Sequence, residues 1–469
     1  MEMLNQTERM LPEAFIERIK KQSYIDSNVL FQALEEPSPV TIRINRGKWN
    51  HIPSDAEPVP WCKDGFYLKQ RPSFTLDPFF HAGAYYPQEA SGMFLEQIFA
   101  QIIENQPYIK VLDLCGAPGG KSTHLSSLLG NKGILVANEV IRSRSNILVE
   151  NMVKWGWPNS VVSQSDPSVF SRLTGFFDLI LVDAPCSGEG MFRDKTAVRE
   201  WSEENAEMCA ERQKRILMDV WPALKGNGIL IYSTCTFNPA ENEHNIRWLN
   251  SRHECDSIRL DISGFKDITE IEYQGIYGYG FYPGKIRGEG LFISVLKKTA
   301  KQEEIITGNK FSHSGRLSRE LKATAEKWTL FGDDQLFTSG DSVIALPGKR
   351  GDYHLLSENL KLVRSGVKLF MKKADKYIPY HDLAMAIKLK DESFPAVETD
   401  YDQALSYLRR GPFTPASLKK GWNIVGYKGV SLGFVNNIGS RINNYYPVNW
   451  RIRMDKPHKG KENLINWLS

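Results

Sequence analysis

The sequence predicts an α/β protein built on a doubly wound, mostly parallel sheet. Between residues 96 and 298, short apolar runs typical of buried strands alternate with helical stretches. Several runs end in, or are soon followed by, an acidic residue or a cysteine, and a glycine-rich turn follows the first run. Strands that alternate with helices form parallel sheets, and such sheets bind ligands at the carboxyl ends of their strands.

Residues 1–95 are expected to form a small α+β module that helps to bind RNA. Helical spacing of apolar residues predicts a helix over residues 12–20, and an alternating pattern predicts a half-buried strand over residues 40–45. The outward-facing residues of that strand would be Thr41, Arg43 and Asn45. They would face nucleic acid or solvent, and this segment alone favours solvent.

Six strands are predicted in the region 96–298, which is expected to be the catalytic domain. They cover residues 111–114, 133–139, 160–164, 177–183, 228–233 and 291–297. The second predicted strand ends in Glu139, and Asp166 follows the third. Cys186 and Cys235 follow the fourth and fifth. Two thiols at the ends of adjacent strands, beside a glycine-rich turn, suggest covalent chemistry over a bound cofactor.

The C-terminal part of the chain is basic. Residues 299–380 are expected to form a polar linker and a bridging segment with some strand patterns. Residues 381–469 are expected to form a separate domain. From residue 405 onward, 11 Lys and Arg stand against Asp455 and Glu462, so this stretch carries +9 and the remaining 404 residues carry −5. Interleaved aromatic residues make it typical of a polyanion-binding surface, and RNA is favoured over a merely solvated basic face.

Composition narrows the class of protein. The 469 residues are 41% hydrophobic and 24% charged, which is typical of a globular protein. No apolar run approaches the roughly 18 residues that a membrane helix needs, and the first 15 residues lack the apolar centre of a signal peptide. Six cysteines without a Cys-x-x-Cys pair indicate free thiols and no metal site. A cytoplasmic protein without a membrane partner is expected.

The glycine-rich turn at residues 116–122 leaves two interpretations open. It nearly matches a phosphate-binding P-loop, which would require glycine where this chain has Cys115. An ATPase is therefore a rival, but it leaves both strand-end cysteines unexplained. A nucleoside cofactor explains more, because Glu139 is placed to bind ribose hydroxyls and Asp166 an adenine amine. S-adenosylmethionine fits this lining.

The two thiols suit methylation of cytosine at C5. That carbon is a poor nucleophile until a thiolate adds to C6, and the thiolate requires a pKa below the roughly 8.5 of free cysteine. Nearby Lys or Arg, or a helix starting after Cys235, would lower it. An acid such as Asp183 would hold N3 and the exocyclic amine, and a second cysteine would help the first to leave.

Three motifs in order resemble the Sun/Fmu-type family of RNA cytosine-5 methyltransferases. They occupy residues 113–122, 183–190 and 233–236. Residues 190–193 and 287–292 resemble its bacterial RsmF-like branch, which modifies 16S ribosomal RNA, and residues 421–447 resemble that branch's PUA-like RNA-binding domain. The resemblance implies a Rossmann-like S-adenosylmethionine-dependent core, a small N-terminal domain and a C-terminal PUA-like domain.

The resemblance also implies roles for individual residues. Cys235 would be the nucleophile, Cys186 would assist product release, and Asp183 and Lys121 would hold the cytosine. The residues implied to line the S-adenosylmethionine pocket are Cys115, Gly116, Ala117, Pro118, Gly119, Gly120, Lys121, Glu139, Arg144, Asp166 and Asp183. The implied partner is 16S rRNA in the small ribosomal subunit, and a monomer without an obligate protein partner is expected.

Two further alternatives are set against this interpretation. DNA cytosine methyltransferases use the cysteine of a Pro-Cys pair, here Cys186, as nucleophile, which would leave Cys235 without a role. A non-catalytic ribosome-assembly factor with the same fold would bind RNA but would not need the thiol pair and the acids.

Overall fold

The protein is described by a computed structural model that covers residues 11–103, 106–303, 305, 317–454 and 463–468. Within these residues the named strands form one ten-stranded sheet and three four-stranded sheets. No helix of the described residues is long and apolar enough to cross a membrane.

The N-terminal region combines helices with a small antiparallel sheet. Its strand order is β2-β3-β1-β4. The elements are α1 (Glu13–Lys21), α2 (Ser27–Glu35), β1 (Val40–Ile44), β2 (Glu57–Pro58), β3 (Gly65–Leu68), α3 (Pro78–His81) and β4 (Tyr85–Pro87). The two long helices share a core with the large sheet rather than with β1–β4: Phe15, Ile19 and Phe31 belong to one buried cluster with Leu112 and Phe177.

The polar residues of β1 face neither nucleic acid nor solvent, so both predicted orientations are wrong. Thr41, Arg43 and Asn45 are buried. The Asn45 amide donates to the carbonyl of Trp155 at 2.8 Å, and Arg43 donates to Thr123 Oγ1 at 2.7 Å. The physical reason is that both faces of β1 are covered: the polar face by helices of the central region, and the apolar face by the C-terminal region.

The central region, in chain order, alternates strands with helices before it turns antiparallel. Its elements are α4 (Leu95–Ile102), β5 (Ile109–Asp113), α5 (Gly120–Leu129), β6 (Gly133–Asn138), α6 (Arg142–Trp155), β7 (Ser160–Ser163), β8 (Phe177–Asp183), α7 (Lys195–Glu200), α8 (Glu203–Val220), β9 (Leu224–Thr234), α9 (Glu243–Asn250), β10 (Cys255–Ser257), β11 (Thr269–Tyr273), β12 (Ile276–Phe281) and β13 (Leu291–Lys298). All six predicted strands are present with small shifts in their ends; β10, β11 and β12 were not predicted.

The topology of the large sheet places a ligand site at a defined point. Strands β7, β6, β5, β8 and β9 are neighbours in that order and run parallel, and β13, β12 and β11 continue the sheet antiparallel. The strand order reverses between β5 and β8. In open α/β sheets the crevice at the carboxyl end of such a reversal binds ligands.

The segment after the central region is folded where the structure describes it. Its elements are α10 (Arg319–Trp328), β14 (Leu336–Ser339), β15 (Ser342–Ala345), α11 (Arg350–Asn359), β16 (Leu362–Ser365), β17 (Val367–Lys373), β18 (Lys376–Pro379) and α12 (His381–Met385). β16 pairs with β7 and extends the large sheet, while β14, β15, β17 and β18 form their own sheet. Most of the predicted linker, residues 304 and 306–316, lies outside the described residues.

The C-terminal region contains the third four-stranded sheet of the described residues, together with a helix. It contains β19 (Ala396–Thr399), α13 (Tyr401–Leu408), β20 (Gly421–Tyr427), β21 (Val430–Asn437) and β22 (Ile442–Asn444). Its buried side chains share one core with Ile42 and Ile44 of β1. Residues 463–468 return to the N-terminal region, where Leu468 N donates to Ile52 O at 2.8 Å. Lys456, Lys459, Lys461, Asp455 and Glu462 lie outside the described residues.

Candidate active site

The glycine-rich turn connects β5 to α5 at the reversal point of the large sheet. Gly119 has φ 119°, a left-handed conformation that glycine adopts without the steric cost of a side chain. Asp113 ends β5 and is fully buried. Its Oδ2 accepts a 2.6 Å hydrogen bond from Ser122, and its Oδ1 has no partner among the described residues. Burial raises the pKa of Asp113 to about 7.

A cavity of about 240 Å³ opens beside this turn. One wall comes from the turn and from Asp183, and the other comes from the N-terminal region after β4. The lining residues are Tyr86, Pro87, Gln88, Glu89, Gly92, Cys115, Gly116, Ala117, Pro118, Gly120, Lys121 and Asp183. The N-terminal region therefore builds part of the cavity itself.

The two predicted thiols lie together next to this cavity. β8 and β9 are adjacent and parallel, and Cys186 and Cys235 follow their carboxyl ends. The two sulfur atoms are 3.2 Å apart, within hydrogen-bond distance for sulfur. The backbone N–H of Cys235 also donates to Cys186 Sγ at 3.3 Å.

Lys121 and Asp183 form an ion pair at the same edge of the sheet. Lys121 Nζ lies 2.8 Å from Asp183 Oδ2, and Ser233 Oγ donates to Asp183 Oδ1 at 2.7 Å. Burial lowers the pKa of Lys121, but the charge and hydrogen bond of Asp183 outweigh it, so the net pKa is raised and the lysine is a cation at neutral pH. All four residues predicted to be catalytic therefore lie in one place.

The pair of thiols is electrically asymmetric. The hydrogen bond from Cys186 is the largest influence on Cys235; together with the charge of Lys121 it outweighs burial and lowers the pKa of Cys235. The same hydrogen bond, followed by burial, raises the pKa of Cys186. These shifts favour the thiolate form of Cys235 over that of Cys186 in the free protein. The helix expected after Cys235 is α9, which begins at Glu243, eight residues further along the chain.

A buried glutamate holds the two cysteine loops in register. Both oxygens of Glu241 accept hydrogen bonds from Ser187, one from its backbone N–H and one from its hydroxyl. Gln213 donates to Glu241 and to the carbonyl of Pro185, which precedes Cys186. The Ser187 hydroxyl lies 2.9 Å from Thr236 Oγ1. The sulfur separation thus rests on a network of side chains around both cysteines.

Helix α1 braces the same loops from the other side. Arg18 pairs with Glu189, three residues after Cys186, and donates to the carbonyl of Phe237, two residues after Cys235. Glu189 is fully buried, and it also accepts from the backbone N–H of Phe237 at 3.1 Å. Gln22 donates to the Phe237 carbonyl at 3.0 Å.

Comparison with known proteins identifies the family. The profile for 16S rRNA methyltransferase RsmB/F matches residues 100–297, that for the N-terminal domain of RsmF matches residues 11–90, and that for the RsmF PUA domain matches residues 394–452. The ribosomal RNA small subunit methyltransferase F of Aliivibrio fischeri is 31% identical over 93% of this chain and 97% of its own length. The chain belongs to the RsmF family of methyltransferases.

Relatives and solved structures agree with this assignment. The ribosomal RNA small subunit methyltransferase F of Vibrio vulnificus is 30% identical over 93% of this chain and 97% of its own. A methyltransferase homologue from Pyrococcus horikoshii is 28% identical with a TM-score of 0.52, covering 62% of this chain and 96% of that one. NSun6 from the same organism, solved with SFG, shares the fold at 19% identity and a TM-score of 0.52, covering 63% of this chain and all of the other.

Residues 190–193 and 287–292, the two stretches that resemble the RsmF branch, contact each other, and the first of them also contacts Cys235. Arg193 donates to the carbonyl of Gly288 and to Glu289, each at 2.9 Å. Gly190 N donates to Cys235 O at 2.8 Å, and a Cβ at Gly190 would lie 3.0 Å from that carbonyl and 3.1 Å from the carbonyl of Gly290. The absence of a side chain at Gly190 lets the two loops approach closely.

The remaining predicted cofactor residues are placed unevenly. Glu139 is buried at the end of β6; it accepts from the backbone N–H of Ile141 and lies 3.5 Å from Arg144. Arg144 also donates to the carbonyl of Ala117 at 3.0 Å, so it touches the glycine-rich turn. Asp166 is exposed, and neither it nor Gly119, Glu139 or Arg144 is among the residues that line the cavity. Its Oδ1 accepts hydrogen bonds from Ser168, which lower the pKa of Asp166.

The ATPase interpretation does not suit this cavity. Asp113, Glu139 and Asp183 surround the turn, and Lys121, the residue that would bind phosphate, already pairs with Asp183. Several carboxylates close to a polyphosphate would repel it. The acidic lining favours the cationic and hydroxyl groups of a nucleoside cofactor instead.

The fold brings together three side chains of the types that can bind a metal ion, although the sequence predicted no metal site. The ligand atoms of Cys62, Glu96 and His124 lie within 4.8 Å of one another, between the N-terminal sheet and α5. His124 lies 3.4 Å from Glu96, and Cys62 also hydrogen-bonds to Glu96. These residues are far apart in sequence, so no spacing rule could have grouped them.

Several residues that shape the site have no role predicted from the sequence. Asp113 is the first residue of the motif at residues 113–122, and its position at a strand end was an available signal. Arg18 and Glu241 carried no such signal. Their partners lie 171 and 54 residues away, and their contacts exist only in the folded chain.

Proposed function

We propose that this protein transfers a methyl group from S-adenosylmethionine to C5 of a cytosine in 16S ribosomal RNA, through a covalent bond between Cys235 and C6. The observation that carries the proposal is the pair of sulfurs 3.2 Å apart beside the Lys121–Asp183 ion pair. Membership of a family of 16S rRNA methyltransferases supports the substrate.

The residues around the glycine-rich turn fit the proposed cofactor. The unpartnered, buried Asp113 Oδ1 suits its ammonium group, and the buried carboxylate of Glu139 suits its ribose hydroxyls. The turn itself, residues 115–121, together with Arg144 and Asp183 would form the rest of the site, while Asp166 would need to turn away from Ser168 to reach an adenine. When bound, S-adenosylmethionine would supply an electrophilic methyl group.

Cys235 provides the nucleophile in the proposed reaction. Its thiolate attacks C6, the C5–C6 double bond opens, and C5 gains the electron pair that takes the methyl group. Asp183 accepts a hydrogen bond from the exocyclic amine, and Lys121 holds that carboxylate in place. The lowered pKa of Cys235 increases the fraction of thiolate at neutral pH.

Cys186 allows the bond between the sulfur of Cys235 and C6 to break again. Once C5 carries the methyl group, its remaining proton must leave before the C5–C6 double bond can reform. Cys186, once its own thiol proton has passed to solvent water, takes that proton as a thiolate; the electron pair of the C5–H bond reforms the double bond, and Cys235 leaves as a thiolate with the electron pair of the C6–S bond. The 3.2 Å separation of the sulfurs lets both act on neighbouring ring atoms.

The RNA-binding surfaces and the domain division are also proposals. The exposed cations Lys419, Lys420, Arg441, Arg451 and Arg453 of the C-terminal region would contact phosphates. We propose that the chain is divided into domains at residues 1–95, 96–298, 299–380 and 381–469. We also propose that the protein is a monomer and that it acts in the cytoplasm, where ribosomal subunits are assembled.

Two cysteine variants test the mechanism. Cys235→Ala should abolish transfer of tritiated methyl groups to unmodified 16S rRNA while S-adenosylhomocysteine still binds. Cys186→Ala should accumulate a covalent RNA–protein adduct, seen as a slow band on a denaturing gel. Cys209→Ala, which changes a buried cysteine on α8, is the matched control and should retain activity. Methylation by Cys235→Ala would exclude the proposed nucleophile, and an absent adduct would exclude the role of Cys186.

A further inference from the structure

Gln88 presents a buried hydrogen-bond donor to the cavity without a partner. It directly follows β4, is 8% exposed and lines the cavity beside Lys121 and Asp183. Among the described residues its Nε2 has no hydrogen-bond acceptor. A buried polar atom that stays unpaired costs about 1–3 kcal/mol, so each such atom in a folded protein calls for an explanation.

The orientation of the Gln88 amide follows from chemistry. Its Oε1 accepts a 2.8 Å hydrogen bond from Arg43 Nε. A guanidinium group has donors only, so the amide must turn its oxygen toward Arg43 and its NH₂ group away. A flipped amide would set two donors against each other.

Arg43 is itself held in place. It is buried, it donates to Thr123 Oγ1 at 2.7 Å, and its guanidinium lies 4.5 Å from the centre of the Trp155 ring. Burial lowers the pKa of Arg43 to about 10, which still leaves it charged at neutral pH. The buried strand β1 thus fixes a donor on the cavity wall.

The position of Gly92 shows that Gln88 Nε2 lies near Lys121, which with Asp183 is proposed to hold the cytosine. A Cβ at residue 92 would lie 3.7 Å from Lys121 Nζ and 3.9 Å from Gln88 Nε2. The two donors therefore border the same space, which the absence of a side chain at Gly92 keeps open. Glu89 anchors this wall, because it accepts hydrogen bonds from the backbone N–H groups of Gly92 and Glu289.

The chemistry of cytosine supplies an acceptor for this position. Asp183 accepts a hydrogen bond from the exocyclic amine at C4, and the carbonyl oxygen O2 is a strong acceptor at the other end of the same edge of the base. Addition of a thiolate at C6 pushes electron density through N3 toward O2, so a donor there stabilises the adduct more than the free base.

We propose, on the basis of the function proposed above, that Gln88 Nε2 donates a hydrogen bond to O2 of the target cytosine. Gln88 is then a further base-binding residue, and Arg43 is a positioning residue that acts through it. Through these two residues, the N-terminal region would take part directly in the chemical step.

Gln88→Glu is the decisive variant, because it keeps an oxygen for Arg43 and replaces only the NH₂ group. Gln88→Met removes the donor without adding charge. The kcat for methylation of unmodified 16S rRNA should fall about 100- to 1000-fold in both variants, as on loss of one donor to a developing negative charge. The dissociation constant of S-adenosylhomocysteine, measured by calorimetry, should change less than twofold.

Gln97→Glu on α4, whose amide donates to the carbonyl of Trp61 away from the cavity, controls for the new charge, and thermal unfolding controls for misfolding. An unchanged kcat would overturn the proposal. A weaker affinity for S-adenosylhomocysteine that accounts for the lost activity would also overturn it, because the donor would then serve the cofactor carboxylate. If the unaltered protein does not methylate cytosine, the proposed function itself fails; if it does and the variants match it, only Gln88 is excluded.

Discussion

The reactive sulfur is selected by its neighbours rather than by its own residue type. Cys186 and Cys235 occupy equivalent strand ends, yet the hydrogen bond between them and the charge of Lys121 favour negative charge on Cys235, while the same hydrogen bond and burial disfavour it on Cys186. A DNA-type mechanism would need the reverse assignment. The electrostatics of the site therefore support Cys235 as the nucleophile.

Lys121→Met should move the pH dependence of adduct formation. The lysine charge lowers the pKa of Cys235, so its loss raises that pKa, and the rising limb of the rate moves to higher pH. Below that pKa the rate changes about tenfold per pH unit, so the deficit at pH 7 should shrink at pH 9. Single-turnover adduct formation in the Cys186→Ala background measures this.

Lys132→Met, at an exposed lysine just after α5, is the matched control and should leave the profile in place. A Lys121→Met protein that is equally slow at every pH would show that the lysine acts by holding the base and not by ionising the thiol.

Residues at strand ends were predictable, and residues that reach the site from elsewhere were not. Parallel strands end at one edge of the sheet, so the order of the chain alone placed Cys186, Cys235 and Asp183 together. Gln88 matters because of Arg43, 45 residues away. The role of Asp166 stays a prediction, since a residue after a strand end can just as well cap the following turn, as its side chain does here.

Helix α1 acts as a brace for two loops that the large sheet does not hold. Arg18 reaches the Cys186 loop through Glu189 and the Cys235 loop through Phe237. The helix was predicted from its apolar face, which packs into the central core. Its polar contacts could not be predicted, because a half-buried arginine on an amphipathic helix is indistinguishable in sequence from a solvated one.

Arg18→Met should destabilise the protein by about 2–3 kcal/mol, because it leaves the fully buried Glu189 without its cation. Urea unfolding measures the free energy. Adding Glu189→Gln should recover part of the loss, since no buried charge is then unpaired. Lys21→Met, at a lysine whose side chain is 78% exposed on the same helix, should cost less than about 0.5 kcal/mol. Equal losses for both helix variants would refute the brace.

At the scale of elements, the strand predictions worked where apolar runs were continuous. The parallel strands are buried on both faces, so they are uniformly apolar and stand out from the sequence. β10 has three residues, β11 mixes exposed with buried positions, and the buried β12 is interrupted by two glycines, so no continuous apolar run marks them. β16 joins the large sheet from beyond the central region, a pairing that no local pattern encodes.

At the scale of the whole molecule, the N-terminal region shares hydrophobic cores with both the central and the C-terminal region. Ile42 and Ile44 of β1 pack with Val425 and Leu432 of the C-terminal region, and Trp467 contacts Trp49, Phe79 and Tyr85. Cutting the chain near residue 385 would expose this core. Charge reversals at the surface therefore test RNA binding more cleanly than truncation does.

Reversing Lys419, Lys420 and Arg441 to glutamate should weaken binding of 16S rRNA and flatten its dependence on salt. Each lost phosphate contact lowers the slope of log K against log salt by about 0.7–0.9. Filter binding at several salt concentrations measures the slope, and the affinity for S-adenosylhomocysteine should not change. Lys266→Glu, at an exposed lysine of the central region, is the matched control. An unaltered slope would remove these residues from the RNA-binding surface.

Because the two sulfurs lie so close together, the protein should be sensitive to oxidation during purification and storage. A disulfide needs about 2.05 Å between sulfur atoms, little more than 1 Å less than the distance found here. A peroxide could take two electrons and two protons from the pair and leave it cross-linked and inert. Preparations stored without a reductant should therefore lose activity and regain it with dithiothreitol, a reversible inactivation that mimics a dead enzyme.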